Sequence, residues 1–358
     1  SKGTLQPVSL ETLTLVRSNT NQSYADAAFS NDLACTVYLE QVPSNGGVVT
    51  KARYVVADAT TGQNISPPMD IPVSSGTITS APKVFTLGGF FVMMFVNTIG
   101  ATPHLQYVAV PTGDPTNSGS NINISSTVSG ASGSFDATVA GGLLYVSWSD
   151  TTGVIKSLYI NTTLTLANTI SVLGQTGTQL SVVADSASGS PVVYTTYYAP
   201  GNVIRTTSAV ITTNSLAQLL APTDIITLAG VTNITGACPT AQKLNLLVEV
   251  AGTYSYTSEP TNHINTYSVT QTGTVVVTNP VVVRSVGLAS KAVVFDGEMY
   301  TLTMYSSPYQ PSYFLINLAG KVVAKLAYQN GPNSYYTSGL PSITILDGNE
   351  LHVPYLFK

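Results

Sequence analysis

One turn-and-strand phrase recurs along this chain at an interval of about 50 residues, and no other feature limits the fold as tightly. It reads "NDLACTVYLE" from Asn31, "LGGFFVMMFV" from Leu87, "AGGLLYVSWS" from Ala140 and "SGSPVVYTTYY" from Ser188. It continues as "AQKLNLLVEV" from Ala241, "DGEMYTLTMY" from Asp296 and "DGNELHVPYL" from Asp347. Each copy is a tight turn followed by an apolar or aromatic strand. A strand such as "KVFTL" or "FDATVA" precedes the turn, and a polar loop with a further strand, such as "LQYVAVPTGDP" or "SYFLINLAGK", follows it. Helical periodicity is nearly absent, and Gly, Asn, Asp and Pro punctuate short strands throughout.

The unit is therefore four antiparallel strands. One such sheet cannot bury both faces alone, whereas stacking copies around an axis covers the faces and leaves only short edges. The expected fold is all-β, a single β-propeller domain over residues 1–358 with seven four-stranded blades. The blades start near residues 25, 80, 134, 179, 234, 288 and 340. The seventh copy stops before its outer strands, so residues 1–16, "TLQPVSLETLTLV" among them, are expected to complete it and close the ring. Serial β-sandwiches are the competing architecture, but they would repeat at about 100 residues. The loosest segment, Thr112 to Ser134, reads as a long outer strand and connection.

Charged residues make up 8% of the chain against roughly 25% in a typical soluble protein. Ser, Thr, Asn and Gly supply the polar surface, a composition suited to extracellular or virion proteins and to surfaces covered in assemblies. A net charge of −4 without a Lys/Arg cluster lacks the footprint of direct nucleic-acid binding. The most apolar run, "GGFFVMMFV", is strand-sized, so no membrane insertion is expected. The opening "SKGTLQPVSL" has neither an initiator Met nor a signal sequence, which suggests a processed product or a fragment. Cys35 and Cys238 read as buried free thiols.

No catalytic residue, metal site or cofactor is expected. His104, His263 and His352 fall in different copies with no ligand spacing around them. "SWSDTTG" from Ser147 is similar to the Asp-box turn of sialidases, but its Ser-to-Asp spacing is wrong and Val154 and Ile155 stand where an aromatic should follow. Asp58, Asp296 and Asp347 read as turn formers. The candidate partner-binding residues are loop tyrosines, Tyr254, Tyr256, Tyr309, Tyr335 and Tyr336, placed beside Pro, Ser and Asn, where a ring with a polar tip serves a protein interface or a sugar alike.

"SYADAAFSNDLACTVYLEQ", "ARYVVADATTGQNI", "PKVFTLGGFFVMMFV", "SYFLINLAGKVVAKLAY" and "DGNELHVP" together resemble propeller-bearing tail proteins of short-tailed bacteriophages. That resemblance implies a non-enzymatic virion component, a nozzle, hub or fibre-associated domain. Its partners would be other virion proteins, in a homo-oligomeric tail assembly, or a host-surface glycan. Two other readings stand beside it. A carbohydrate-binding propeller should repeat the same Tyr or Trp at one place in each blade, and the quoted copies show no such repeat. A secreted glycosidase would need two carboxylates facing one site.

Overall fold

The hairpin turns set the register of every sheet. Asn31 and Asp32 both have positive φ, as do Gly141 and Gly142, which is what a two-residue type I′ turn requires. These turns pair Ser30 with Leu33 and Ala140 with Leu143 across them. From there the alternation of side chains fixes which residues face which side of each sheet.

The computed structural model describes residues 22–352 apart from 132, 168–169, 186–190, 213–214, 241, 253–261, 278–280, 286, 289–290, 296–297, 307–310, 318–321, 327–343 and 347–349. No helix occurs among the described residues. Blade one has four antiparallel strands in sequence order, Gln22–Ser30, Leu33–Ser44, Gly47–Asp58 and Met69–Asp70. The same order holds in blade two, with Lys83–Leu87, Phe90–Ile99, Thr102–Pro111 and Ile122–Ser125, where Thr77–Ile78 extends the first edge. Blade three comprises Phe135–Ala140, Leu143–Ser149, Val154–Ile160 and Ile170–Thr176. Blade four comprises Thr178–Asp185, Val192–Ala199, Val203–Thr212 and Ser215–Thr227. Blade five is built on Val231–Thr240, Lys243–Val250, Asn262–Thr270 and Val275–Val277, and blade six on Val293–Phe295, Glu298–Ser306, Pro311–Asn317 and Val322–Leu326. The hairpin Thr344–Leu346 with Glu350–His352 occupies the place of the seventh copy. The expected closure by residues 1–16 lies outside the described residues.

The strands fall into two compact units, one holding blades one, two and seven and the other blades three to six. In the first, one face of blade one (Cys35, Val37, Leu39, Tyr54, Val56) packs on one face of blade two (Phe91, Met93, Phe95, Val108, Val110). In the second, Val192, Tyr194 and Ile204 of blade four pack on Leu244, Leu246, Val248 and Tyr267 of blade five. Burial of these apolar faces against each other is the main stabilising term. Cys35 is a buried free thiol of the first cluster, whereas Cys238, expected to be buried as well, is a partly buried free thiol packed against the second, and burial pushes both up.

Polar bonds fix the offset between neighbouring blades. The buried carboxylate of Asp26, in the first strand of blade one, accepts the backbone N–H of Val84 in blade two at 2.9 Å. Asp136 does the same from blade three to Val182 of blade four at 2.8 Å. The two aspartates are register equivalents, Asp26 lying opposite Val37 and Asp136 opposite Ser147, each the fifth residue of its second strand. Asp185 accepts from the N–H of Gln242, tying blade four to blade five at 2.6 Å. A bond to a buried charge contributes more than a neutral one. Asp136→Ala is therefore expected to lower the unfolding free energy by about 2 kcal/mol, read from urea denaturation. A change below the scatter of the measurement would show that the blades are held by apolar packing alone.

Candidate functional site

The second strand of blades one to four is mostly buried, and its sixth residue is an aromatic in these four successive copies. Counted from Leu33, Phe90, Leu143 and Val192, that residue is Tyr38, Phe95, Trp148 and Tyr197. All four rings are buried. Directly opposite each, on the third strand, stands a polar residue: Arg53, Gln106, Lys156 and Arg205 in turn. Opposite residues on one face of a sheet are neighbours, so each buried ring carries a long polar side chain beside it.

In blade one the pattern gains two carboxylates. Glu40 lies two residues beyond Tyr38, on the same face, and its Oε2 is 2.7 Å from Arg53 Nη1. Asp70, opposite Arg53 on the fourth strand, places Oδ1 3.0 Å from Arg53 Nε and Oδ2 2.5 Å from Lys51 Nζ. Arg53 Nη2 also donates to the Pro68 carbonyl at 2.9 Å. Burial opposes the charge on Arg53, but the bond to Glu40 and the fields around it outweigh that, and its pKa ends higher. Burial also drives the Tyr38 phenol up, so it stays protonated.

Blade three repeats this with other residues. Asp150 holds the position that Glu40 holds, two beyond the ring, and its Oδ2 is 3.0 Å from Lys156 Nζ. Its Oδ1 also closes the turn, accepting from Thr152 N at 2.8 Å and Val154 N at 3.0 Å. The segment that looks like an Asp box is thus a turn whose aspartate also neutralises a cation. Blade four takes its acid from the fourth strand instead, where Asp224 lies opposite Arg205 and pairs with its Nε. Here the neighbouring blade contributes as well: Gln175 of blade three accepts from Tyr197 Oη at 3.1 Å. An added Cβ on Gly177 would lie 2.7 Å from Tyr197 Cδ2, so only glycine lets the backbone run against that ring. Burial, countered by Arg205, leaves the Tyr197 phenol pushed up to about 12.

Blade two is the uncharged version. Gln106 Oε1 accepts from Asn97 Nδ2 at 3.0 Å and Asn121 Nδ2 at 2.8 Å, with His104 opposite Asn97. In blade five the sixth residue is Val248, opposite Asn265, and the pattern ends.

Two buried polar atoms at the sixth position, Tyr38 Oη and Trp148 Nε1, have no hydrogen-bond partner among the described residues. Among the described residues no three His, Cys, Asp or Glu side chains come together. Asp58 is the turn former expected of it, its Oδ1 accepting from Thr60 N at 2.9 Å and Thr61 N at 2.7 Å. The five loop tyrosines, Tyr254, Tyr256, Tyr309, Tyr335 and Tyr336, lie outside the described residues, as do Asp296 and Asp347. No single Tyr or Trp recurs in every blade, since the position holds Tyr, Phe, Trp and Tyr and then Val248, but the register brings an aromatic ring of one kind or another to it in four successive blades. The traces were present in the sequence as "VYLE", "MFVN", "SWSD" and "TYYA", aromatic then a polar or small residue two places on.

No protein-family model matches the chain, and no curated protein matches it. Among solved structures, AofleA of Arthrobotrys oligospora, in a triple arginine-to-alanine variant, superposes with a TM-score of 0.51 at 8% identity over 87% of each chain. The fold is a β-propeller. The propeller also aligns with the catalytic domain of the GH62 α-L-arabinofuranosidase of Coprinopsis cinerea, at 10% identity and a TM-score of 0.38 over 74% of this chain and 92% of that one. A GH62 hydrolase solved with xylotriose gives 10% identity and a TM-score of 0.43 over 82% and 87%.

These findings correct the expectation of a non-enzymatic tail-assembly domain, since the chain aligns with glycoside hydrolases over most of their length. The physical reason is that the repeat grammar arises from blade packing, which any propeller must satisfy whatever its task.

The acid of blade three gives a direct test. Burial raises the Asp150 pKa, but the bonds from Thr152, Lys156 and Val154 outweigh it and hold it at about 2, below the ordinary 3.8. A depressed folded-state pKa gives stability that is complete above 3.8 and disappears as pH falls through about 2. Asp150→Asn should melt at a lower temperature than the parent chain near neutral pH, and the gap should close on acidification through that window. A gap independent of pH would mean that the carboxylate charge contributes nothing.

Proposed function

We propose that this propeller is directed at carbohydrate, and that the ring-backed polar clusters on successive blades contact sugar hydroxyls. The observation that carries the reading is the recurrence of one arrangement at one register position: a buried ring and, beside it, paired donor and acceptor groups. Sugar recognition needs hydroxyls to be met by donors and acceptors together, with an apolar floor that fixes their geometry. In blade four, Arg205 and Asp224 are 32% and 59% exposed and flanked by Gln175, so their outer polar atoms are open to a ligand. Repetition within each unit adds avidity without a new kind of contact. The uncharged, hydroxyl-rich surface suits a glycan-rich setting, and a host or environmental polysaccharide is the proposed partner.

A glycan array followed by calorimetry tests this. Arg205→Ala, at a half-exposed position, should keep the melting temperature within a few degrees while weakening the best glycan by about tenfold, the size of one charge-assisted hydrogen bond. Unchanged affinity in this variant and in Lys156→Ala would remove these clusters from the binding surface.

A second reading, glycoside hydrolysis, draws on blade one, where Glu40 and Asp70 flank a single guanidinium. Glycosidases use two carboxylates facing one site, and of these two Asp70 is the one open to solvent while Glu40 is buried. Incubation with arabinoxylan should then release reducing ends, and Asp70→Asn should abolish the release. Turnover that survives Asp70→Asn would place the chemistry elsewhere.

A further inference from the structure

We infer that these clusters select neutral sugars and discriminate against both acidic and amino sugars, an inference that rests on the carbohydrate reading above. Each cationic side chain opposite or beside a ring is matched by a carboxylate. In blade one, Arg53 and Lys51 are balanced by Glu40 and Asp70. In blade three, Lys156 is balanced by Asp150, and in blade four, Arg205 by Asp224. Blade two reaches the same neutrality by a different route, with the amides Asn97, Gln106 and Asn121 holding the places of the charges. A net charge of zero is thus kept while the chemistry of the groups changes.

Recognition of an anionic sugar calls for a cation that the protein has not already neutralised. Here an incoming uronate or sulfate would approach Arg205 only beside the exposed carboxylate of Asp224, and an ammonium would meet Arg205 itself. A hydroxyl suffers neither repulsion, because it donates to the carboxylate and accepts from the guanidinium. The cations here serve as fixed hydrogen-bond donors.

The experiment uses the full chain and three probes, arabinoxylan oligosaccharides, polygalacturonate oligosaccharides and chitosan oligosaccharides, each titrated at low and high salt. The neutral probe should bind best, with an affinity insensitive to salt. Asp224→Asn supplies the decisive arm, because it leaves Arg205 unopposed at an exposed site where folding is not at risk. It should gain affinity for polygalacturonate by about two- to fivefold, the range of an exposed ion pair, and the gain should vanish at high salt. Salt-sensitive binding of the parent chain to polygalacturonate or chitosan in preference to the neutral probe would overturn the selectivity while leaving the carbohydrate reading intact. So would an Asp224→Asn variant with no gain. Binding to none of the three probes would overturn both.

Discussion

A carboxylate buried between two sheets, accepting a backbone N–H from the next blade, is the contact on which the rest of this molecule depends. Apolar faces alone would let neighbouring blades slide, because the attraction between them has no direction. Asp26 and Asp136 remove that freedom, since each fixes a particular amide of the following first strand. The bond is strong where it forms and costly where it is missed, because a buried carboxylate without a donor carries a large desolvation penalty. It therefore selects one offset between blades over alternatives with similar apolar burial.

The polar clusters follow from that offset. Once blade four is pinned to blade three, Gln175 at the end of one blade comes within reach of Tyr197 Oη on the next. The buried ring then forms a rigid base, and the cation opposite it has few directions left except along the ring toward solvent. The carboxylate that meets it arrives by different paths, from the second and fourth strands in blade one, from just past the second strand in blade three and from the fourth strand in blade four. The charge balance is kept although the chain position of the acid is not. Local neutrality of the cluster is thus the property that persists across copies.

Position in the fold also explains why the rings at the centre of these clusters are inconspicuous in the sequence. Loop tyrosines stand out in a sequence because aromatic residues among Pro, Ser and Asn are conspicuous. The rings around which the structure builds its clusters lie inside apolar strands, where "VYLE" and "SWSD" look like core. Much of each motif is core, since the rings are buried together with Glu40, Asn97, Gln106 and Asp150, and only partners such as Arg205, Asp224 and Asp70 reach the surface. Such a repeat reports on how blades stack, and stacking is indifferent to what the outer polar groups bind.

The sequence by itself determined the all-β class, the seven turn-and-strand copies and the position of nearly every hairpin. Those features are local: a Gly-Gly or Asn-Asp turn and an alternating strand act through neighbouring residues only. Cys35 and Asp58 were legible for the same reason, an apolar strand burying a thiol and an aspartate closing its own turn. Only the tertiary structure decided that Asp26 and Asp136 are tethers between blades. It also decided that Tyr38, Phe95, Trp148 and Tyr197 occupy one position, and that Arg205 meets Asp224. Connections of unequal length vary the interval between copies along the chain, so the count from each turn hints at the equivalence but the cross-strand partner of each ring is fixed only by the hydrogen-bond register. Partners such as Arg53 and Asp70, or Tyr197 and Gln175, are joined by cross-strand and inter-blade geometry that forms only after the sheets have paired and stacked.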